Sequence, residues 1–332
     1  LKLRKSRLAK IVELFQGKRV GVVGDLVADV YIHTQSARVS REAPVLILQY
    51  EYEELRPGGA ANCLNNFASL KAEPVAFGIV GDDSRGHILL DTLKQSGVDT
   101  KSVKTVAGFA TPTKTRILAA NLHTVYQQVV RLDQLAPNSS PSSILTELAA
   151  EIGKRAKEFD ALIISDYQLG VLEGEVYEKV RGFLKSKNLK VFVDSRFRLF
   201  RFPNAFAYTP NEEEAQETVG FKLGNNGEIV KAAQILKHKL KAKCLLITLG
   251  RKGMYLFYRG RGYFIDIYGT DQVADVTGAG DTVMATFALA IMSGAHPYEA
   301  AYIANIAAGI VVTKAKTATV SLEELLDAIK GL

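Results

Sequence analysis

The sequence predicts an α/β fold with a mostly parallel central sheet, helices on both faces and a small β lid. Three observations predict it. Short apolar runs rich in β-branched residues, at 161–165, 190–193 and 244–248, alternate with longer amphipathic stretches near 140–159, 173–186 and 227–240. Such alternation is what parallel strands joined by helices produce. Two regions, 31–55 and 108–133, break the alternation; they are rich in Val, Ile, Tyr, Thr and Gln and read as paired strands with one face polar. Finally, a glycine turn, Asp275-Val276-Thr277-Gly278-Ala279-Gly280-Asp281, runs into a small, apolar, proline-free stretch at 282–292, the pattern of a buried helix.

The elements follow in order. The basic start of the chain carries Leu8, Ile11, Val12, Leu14 and Phe15 at helical spacing, which predicts a leading helix docked on the core. Val20-Gly21-Val22-Val23-Gly24 reads as a buried strand ending in Asp25, with Asp29 one helical turn on. Arg56-Pro57-Gly58-Gly59-Ala60-Ala61-Asn62 precedes an amphipathic run at 63–70, and residues 74–80 read as one further strand. With 332 residues, no internal repeat and no low-complexity linker, the chain is expected to form one domain over 1–332, with lid strands inserted at about 31–55 and 108–133.

Composition narrows the function classes. The net charge of +7 suits anionic substrates, but the basic residues are dispersed and no nucleic-acid motif appears, so a nucleic-acid partner is not expected. Cys63 and Cys244 are the two cysteines, which implies neither a disulfide framework nor a zinc site, and the five histidines show no metal spacing. A reducing, cytoplasmic setting is expected. There is no continuous apolar h-region and no run long enough to span a membrane, so no membrane partner is expected. The chain opens on Leu rather than Met, so a preceding segment is expected.

The turn at 275–281 carries the chemistry. Gly278 and Gly280 lack a Cβ, so successive N–H groups can converge on an anion at a helix N-terminus. Asp281 then stands in the first helical turn beside that anion hole. A carboxylate there fits a general base taking the proton of a hydroxyl that attacks a phosphoryl group. A plain helix cap is the competing reading. There is neither a G-x-x-x-x-G-K-[ST] loop nor a G-x-G-x-x-G fingerprint, so any phosphate apparatus is of another kind.

The N-terminal strand with Asp25 and Asp29, the Gly58-Gly59…Asn62 segment and the 275–281 turn, in that order, resemble the ribokinase-like (PfkB) carbohydrate kinases over about residues 18–328. The resemblance implies a ribokinase-like three-layer sandwich, ATP and Mg²⁺ as cofactors, and a lid that pairs between subunits in a homodimer. It implies that Asp25, Asp29, Gly58, Gly59 and Asn62 hold sugar hydroxyls. It also implies that Gly278, Ala279 and Gly280 cradle the phosphoryl group while Asp281 is the base. Asn211 and Glu214 match an N-x-x-E element that organises Mg²⁺, with Glu214 acting through water; an acidic first helical turn explains them otherwise. Thr248, Gly250 and Gly253 resemble a nucleotide-side loop, which a plain turn explains nearly as well. Asn305 lies where relatives line the adenine pocket, and a satisfied helix Asn is the alternative.

A narrower resemblance points to the kinase domain of the heptose 7-phosphate kinases, which make heptose 1,7-bisphosphate for bacterial lipopolysaccharide. It rests on residues 24–31, 37–45 and 56–62, extended by Thr113-Lys114-Thr115-Arg116, Gln128-Val129-Val130-Arg131-Leu132-Asp133 and Ser165-Asp166-Tyr167. Arg41, Val27-Ala28 and Asp194-Ser195-Arg196 depart from that pattern, and the segment from Asp194 is similar to ketodeoxygluconate kinases of the same superfamily. Lys114 and Arg116 alternate on a lid strand and share one side, so they could grip a distal phosphate; Arg38 and Arg41 are weaker candidates. Asp166 follows a buried strand, at the edge where α/β proteins keep their sites. The expected reaction is transfer from ATP to the anomeric hydroxyl of a heptose 7-phosphate. A kinase for another sugar or sugar acid is the second reading, and a catalytically silent sugar or nucleotide sensor the third. No H-x-G-H-like segment of a fused nucleotidyltransferase is present.

Overall fold

A computed structural model describes residues 3–121, 125–135, 140–186, 189–196, 198–269, 275–314 and 316–332. The chain opens with α1 (Lys5–Glu13), β1 (Arg19–Gly24), β2 (Leu26–Val39), β3 (Leu46–Gly59), α2 (Ala60–Ser69), β4 (Glu73–Phe77), β5 (Ile79–Gly81), α3 (Ser84–Gln95) and β6 (Lys104–Val106). It continues through β7 (Thr113–Ala120), β8 (Gln127–Gln134), α4 (Ser142–Arg155), β9 (Ala161–Asp166), α5 (Gly174–Ser186), β10 (Lys190–Ser195), β11 (Ala207–Tyr208), α6 (Glu212–Val219) and α7 (Asn226–Leu240). It closes with β12 (Cys244–Thr248), β13 (Met254–Tyr258), β14 (Arg261–Ile265), α8 (Ala279–Met292), α9 (Pro297–Val311) and α10 (Leu322–Lys330).

Eight strands form the central sheet in the order β14-β13-β12-β11-β10-β9-β1-β4. Every pair from β4 to β12 is parallel; only β12–β13 and β13–β14 are antiparallel. β1, β9 and β10 are nearly continuous apolar runs because helices cover both faces. Helices α1, α2, α3, α8, α9 and α10 contribute to one core. Helices α4, α5, α6 and α7 contribute to the other. Helix α8 is apolar on every side because it is enclosed on every side, with Phe287 and Leu289 at 0% exposure. Each such side chain contributes about 1.5–3 kcal/mol on leaving water. The leading helix docks as its spacing predicts: Leu8, Ile11 and Val12 are buried, and Arg7 pairs with Glu299. No helix among the described residues is long and apolar enough to cross a membrane.

The two irregular regions form a separate four-stranded sheet, β3-β2-β7-β8. Its β2–β3 and β7–β8 pairs are antiparallel and its β2–β7 pair is parallel. Two sequence expectations change. The residues after Asp25 are extended, so Asp29 lies on β2 rather than a helical turn away. The run at 74–80 is interrupted at Gly78 and becomes β4 and β5. The small sheet also exposes apolar side chains among its polar ones: Leu46, Tyr50, Tyr52, Val129, Val130 and Leu132 are all exposed, as is the whole of β8.

Candidate active site

Parallel strands that diverge leave a crevice at their carboxyl ends. Asp166 at the end of β9, Tyr167 just after it, Asp194 and Arg196 at the end of β10, Thr209 and Asn211 after β11 and Thr248 at the end of β12 line one cleft of about 290 Å³. Its other wall is the small sheet, through Asp29 on β2, Gly59 on β3, Lys114 and Arg116 on β7 and Arg131 on β8. The N-terminus of α8 closes it with Gly278, Gly280 and Asp281.

Gly278 is the N-cap of α8 at φ 82°, a left-handed conformation that favours glycine. A Cβ there would also lie 2.5 Å from the Asn62 Nδ2. Asp281 therefore sits in the first helical turn and is not the cap. Its carboxylate accepts from Asn62 Nδ2 at 2.7 Å on Oδ2 and from the Tyr167 hydroxyl at 3.3 Å on Oδ1. Asn62 is itself held by Asn66, whose amide accepts from the Thr282 hydroxyl at 2.7 Å. A buried polar chain thus ties α2 to α8 and fixes the carboxylate. Burial pushes the Asp281 carboxyl up to about 6, against the downward pull of the Asn62 and Tyr167 hydrogen bonds. A carboxylate with that affinity for protons, aimed into a cleft, can accept one from a hydroxyl.

The anion hole differs in one member from the sequence expectation. The Ala279 N–H donates to the Val276 carbonyl at 3.2 Å and is occupied. Among the described residues the N–H groups of Gly280 and Asp281 donate to no protein acceptor, and Gly280 is exposed. They stand at the positive end of the α8 dipole and are the donors available to an anion.

Several predicted sugar contacts turn inward instead. The buried Asp25 carboxylate accepts from the backbone N–H groups of Tyr167, Leu169 and Val171 at 2.8, 3.1 and 3.1 Å. It holds the loop after β9 and does not line the cleft. Asp166 reaches the cleft, but its carboxylate is saturated by Ser195 Oγ, by Arg198 Nε and Nη2 and by the Gln168 N–H. Asp29 lines the cleft with Oδ1 in a buried ion pair to Arg116 Nη1 at 2.9 Å. Gly58 makes room for it, since a Cβ there would lie 2.7 Å from the Asp29 carboxylate. Gly59 lines the cleft, whereas Asn62 meets Asp281 beneath it.

The cations also sort differently. Lys114 and Arg116 share the cleft side of β7 as alternation predicts. Arg116 is committed to Asp29, and Arg131 to Asp133 through two contacts of 2.7 Å. Lys114 and Arg196 have no carboxylate partner among the described residues; they lie 5.2 and 4.7 Å from the Tyr167 ring centroid. Arg38 is a correction. It stands near the far end of β2, about 30 Å from Asp29 along an extended strand, and cannot reach this cleft in its own chain. Arg41 lies in the exposed turn beyond it.

On the opposite side, Asn211 and Glu214 form a capping box on α6: Asn211 Oδ1 accepts from the Glu214 N–H at 2.8 Å, and Glu214 Oε2 from the Asn211 N–H at 3.0 Å. The local structural reading and the site reading coexist, because Glu214 is buried and still lines the cleft. Burial raises the Glu214 carboxyl, and burial together with Glu214 and Asp281 raises that of Asp194. Asp194 accepts no hydrogen bond from the described residues; a carboxylate so placed beside another fits a hard divalent cation. Among the described residues no group of three or more metal-ligating side chains occurs, so such an ion would complete its shell with water or phosphate. Thr248 joins this end of the cleft through its bridge to Asn211. Gly250 opens the turn after β12 and Gly253 begins the return to β13, where a Cβ would lie 2.0 Å from the Ile265 carbonyl. Neither lines the cleft. Nor does Asn305, whose Nδ2 donates to the Asp266 carbonyl at 2.8 Å.

The fold has close counterparts among solved structures. Arabidopsis thaliana ribokinase complexed with ribose and ATP superposes with a TM-score of 0.73 at 21% identity, covering 95% of this chain and 99% of that one. Escherichia coli phosphofructokinase-2, in complex with substrates and products, gives 0.76 at 18% identity with the same coverages. The sequence profile of the pfkB family carbohydrate kinases matches residues 18–325. The chain belongs to that family. It is a carbohydrate kinase with the ribokinase-like fold. Among curated relatives, the bifunctional protein HldE of Helicobacter pylori (strain J99) is 35% identical over 93% of this chain, and that of Pelobacter propionicus 36% over 93%. The kinase chain spans 65% and 62% of those two proteins.

Among the cleft residues of this pfkB kinase that received no role from the sequence are four charged or aromatic ones. Tyr167 and Arg131 stood inside matched segments, and Asp194 and Arg196 stood out only as departures from a pattern. For Tyr167, Asp194 and Arg196, a charged or aromatic residue at or just past a strand's carboxyl end was the available signal.

Proposed function

We propose that this kinase transfers the γ-phosphoryl group of ATP to the anomeric hydroxyl of heptose 7-phosphate, giving heptose 1,7-bisphosphate. The carrying observation is the charge of the cleft wall: four cations, Lys114, Arg116, Arg131 and Arg196, gather there and two of them lack a carboxylate. A neutral sugar has no use for those two. The relatives named HldE support the same acceptor, and the ribokinase solved with ribose and ATP supports ATP as donor.

Asp281 takes the proton of the attacking hydroxyl while the N–H groups of Gly280 and Asp281 stabilise charge on the moving phosphoryl group. Asp29 and Gly59 orient the sugar. Glu214 and Asp194, with Asn211 fixing Glu214, would hold Mg²⁺. When bound, that ion supplies charge neutralisation across the nucleotide phosphates. Turnover against a panel of sugar phosphates, free sugars and sugar acids tests the assignment. Heptose 7-phosphate should give the highest kcat/KM, and a free sugar or a sugar acid in that place would overturn the acceptor.

The small sheet supports a reading of the quaternary state. Its exposed apolar strands leave an uncovered edge and face, which soluble proteins normally cover. We propose a homodimer joined through this sheet. Sedimentation should show a dimer at micromolar concentration, and Leu132→Asp should shift it toward monomer. A wild-type monomer under those conditions would reject the pairing.

A further inference from the structure

Tyr167 touches the Asp281 carboxylate, stacks against the unpaired cations and is pinned from behind by a buried acid. Its hydroxyl reaches Asp281 Oδ1 at 3.3 Å. Its ring lies 5.2 Å from the Lys114 ammonium and 4.7 Å from the Arg196 guanidinium. Its backbone N–H is fixed by Asp25 Oδ2 at 2.8 Å. Gln168, the next residue, holds φ 62° and donates from Nε2 to the Arg196 carbonyl, so the loop is tied at both ends.

A carboxylate that collects a proton needs one oxygen directed at the hydroxyl it serves. Asn62 fixes Oδ2 of Asp281 from the α2 side. Without a second donor the group could still rotate or tip about that single contact, and misplacing a reacting group is costly in rate. The Tyr167 hydroxyl supplies the second donor from the β9 side. Burial next to Asp281 holds its phenol well above the ordinary range, so it stays protonated and donates. The two nearby cations confine the ring by cation–π attraction, which limits how far the hydroxyl can swing.

We propose that Tyr167 is a positioning residue for phosphoryl transfer, orienting Asp281 through its hydroxyl, with Asp25 holding Tyr167 in place through the loop backbone. This rests on Asp281 being the base. Tyr167 touches neither donor nor acceptor in this role; it acts through Asp281.

Tyr167→Phe keeps the ring, its cation contacts and the Asp25 bond, and removes one oxygen. It should lower kcat about tenfold, less than the roughly 10²–10⁴ that a positioned base contributes, because the base itself remains. The KM values for ATP and acceptor should stay within about twofold, because uniform binding is untouched. The decisive arm is a double-mutant cycle. In an Asp281→Asn background, Tyr167→Phe should leave the residual rate unchanged. A further tenfold loss there, or a raised acceptor KM with kcat intact in the single variant, would overturn the positioning role. So would a single variant as fast as wild type. The cycle separates the two claims: an active Asp281→Asn enzyme defeats the base itself, while an inactive Asp281→Asn beside an unaffected Tyr167→Phe defeats only this inference. Asp25→Asn, which keeps the shape and weakens acceptance from three N–H groups, should reproduce the kcat loss without raising KM. A raised acceptor KM in that variant would place Asp25 on the sugar instead.

Discussion

Asp281→Asn is expected to lower kcat by roughly 10²–10⁴ while ATP affinity holds, the usual contribution of a positioned general base. The amide keeps the size of the side chain and leaves α8 intact. The helix cap is Gly278, so no cap is lost. What disappears is the acceptor for the hydroxyl proton. The pH profile gives a second reading. Burial pushes the Asp281 carboxyl up to about 6, so the wild-type rate should fall on the acid side through that region, and the residual rate of the variant should lack that limb. Stability moves the opposite way. An acid raised from 3.8 to about 6 on folding takes stability from the native state as pH climbs through that window, and the full cost stands above it. Removing the acid should therefore raise the melting temperature at pH 7.5, and the difference should close below about pH 4. A variant that turns over normally would leave Asp281 without a chemical role.

This site was unevenly legible in the sequence, for physical reasons. The turn at 275–281 and the start of α8 could be read because both are local: a glycine with positive φ, a helix N-terminus and a carboxylate in its first turn are near neighbours in the chain. The parallel sheet was readable because β1, β9, β10 and β12 are continuous apolar runs between amphipathic ones. What a carboxylate does could not be read, because it depends on donors brought from afar. Asp25 looked like a sugar ligand until three N–H groups beyond β9 were found around it. Asp166 read as a site residue at a strand's edge, but Arg198 and Ser195 close on it. Reach was hidden too. Arg38 and Lys114 both read as lid cations, but the length of β2 carries Arg38 away while the parallel β2–β7 register sets Lys114 opposite Asp29. Arg196 was concealed by its company, since the adjacent carboxyl ends of the parallel strands β9 and β10 bring it to Tyr167.

The same geometry decides which cations to remove when testing the acceptor. Arg116 is a poor probe. Taking it away leaves Asp29 as an unpaired buried charge, which costs about 3–5 kcal/mol and disturbs the lid whatever the substrate. Lys114 and Arg196 carry no such obligation. Burial and the neighbouring Arg196 push the Lys114 ammonium below its ordinary range, as happens where positive charge gathers without an anion. A bound phosphate would relieve that repulsion and accept charge-assisted hydrogen bonds of roughly 1.5–3 kcal/mol each. Lys114→Met and Arg196→Gln should each raise KM for the phosphorylated acceptor by about tenfold or more on that scale. The pair should exceed either single change without reaching the product of the two, since both cations stack on Tyr167 and share one ligand. Activity on the unphosphorylated sugar should change far less, because that substrate never used the charge. Equal losses on both acceptors would mean that the cations hold the lid together, and a wild-type preference for the neutral sugar would remove the phosphate from the acceptor while leaving Asp281 and the α8 N-terminus to do the same transfer on another hydroxyl.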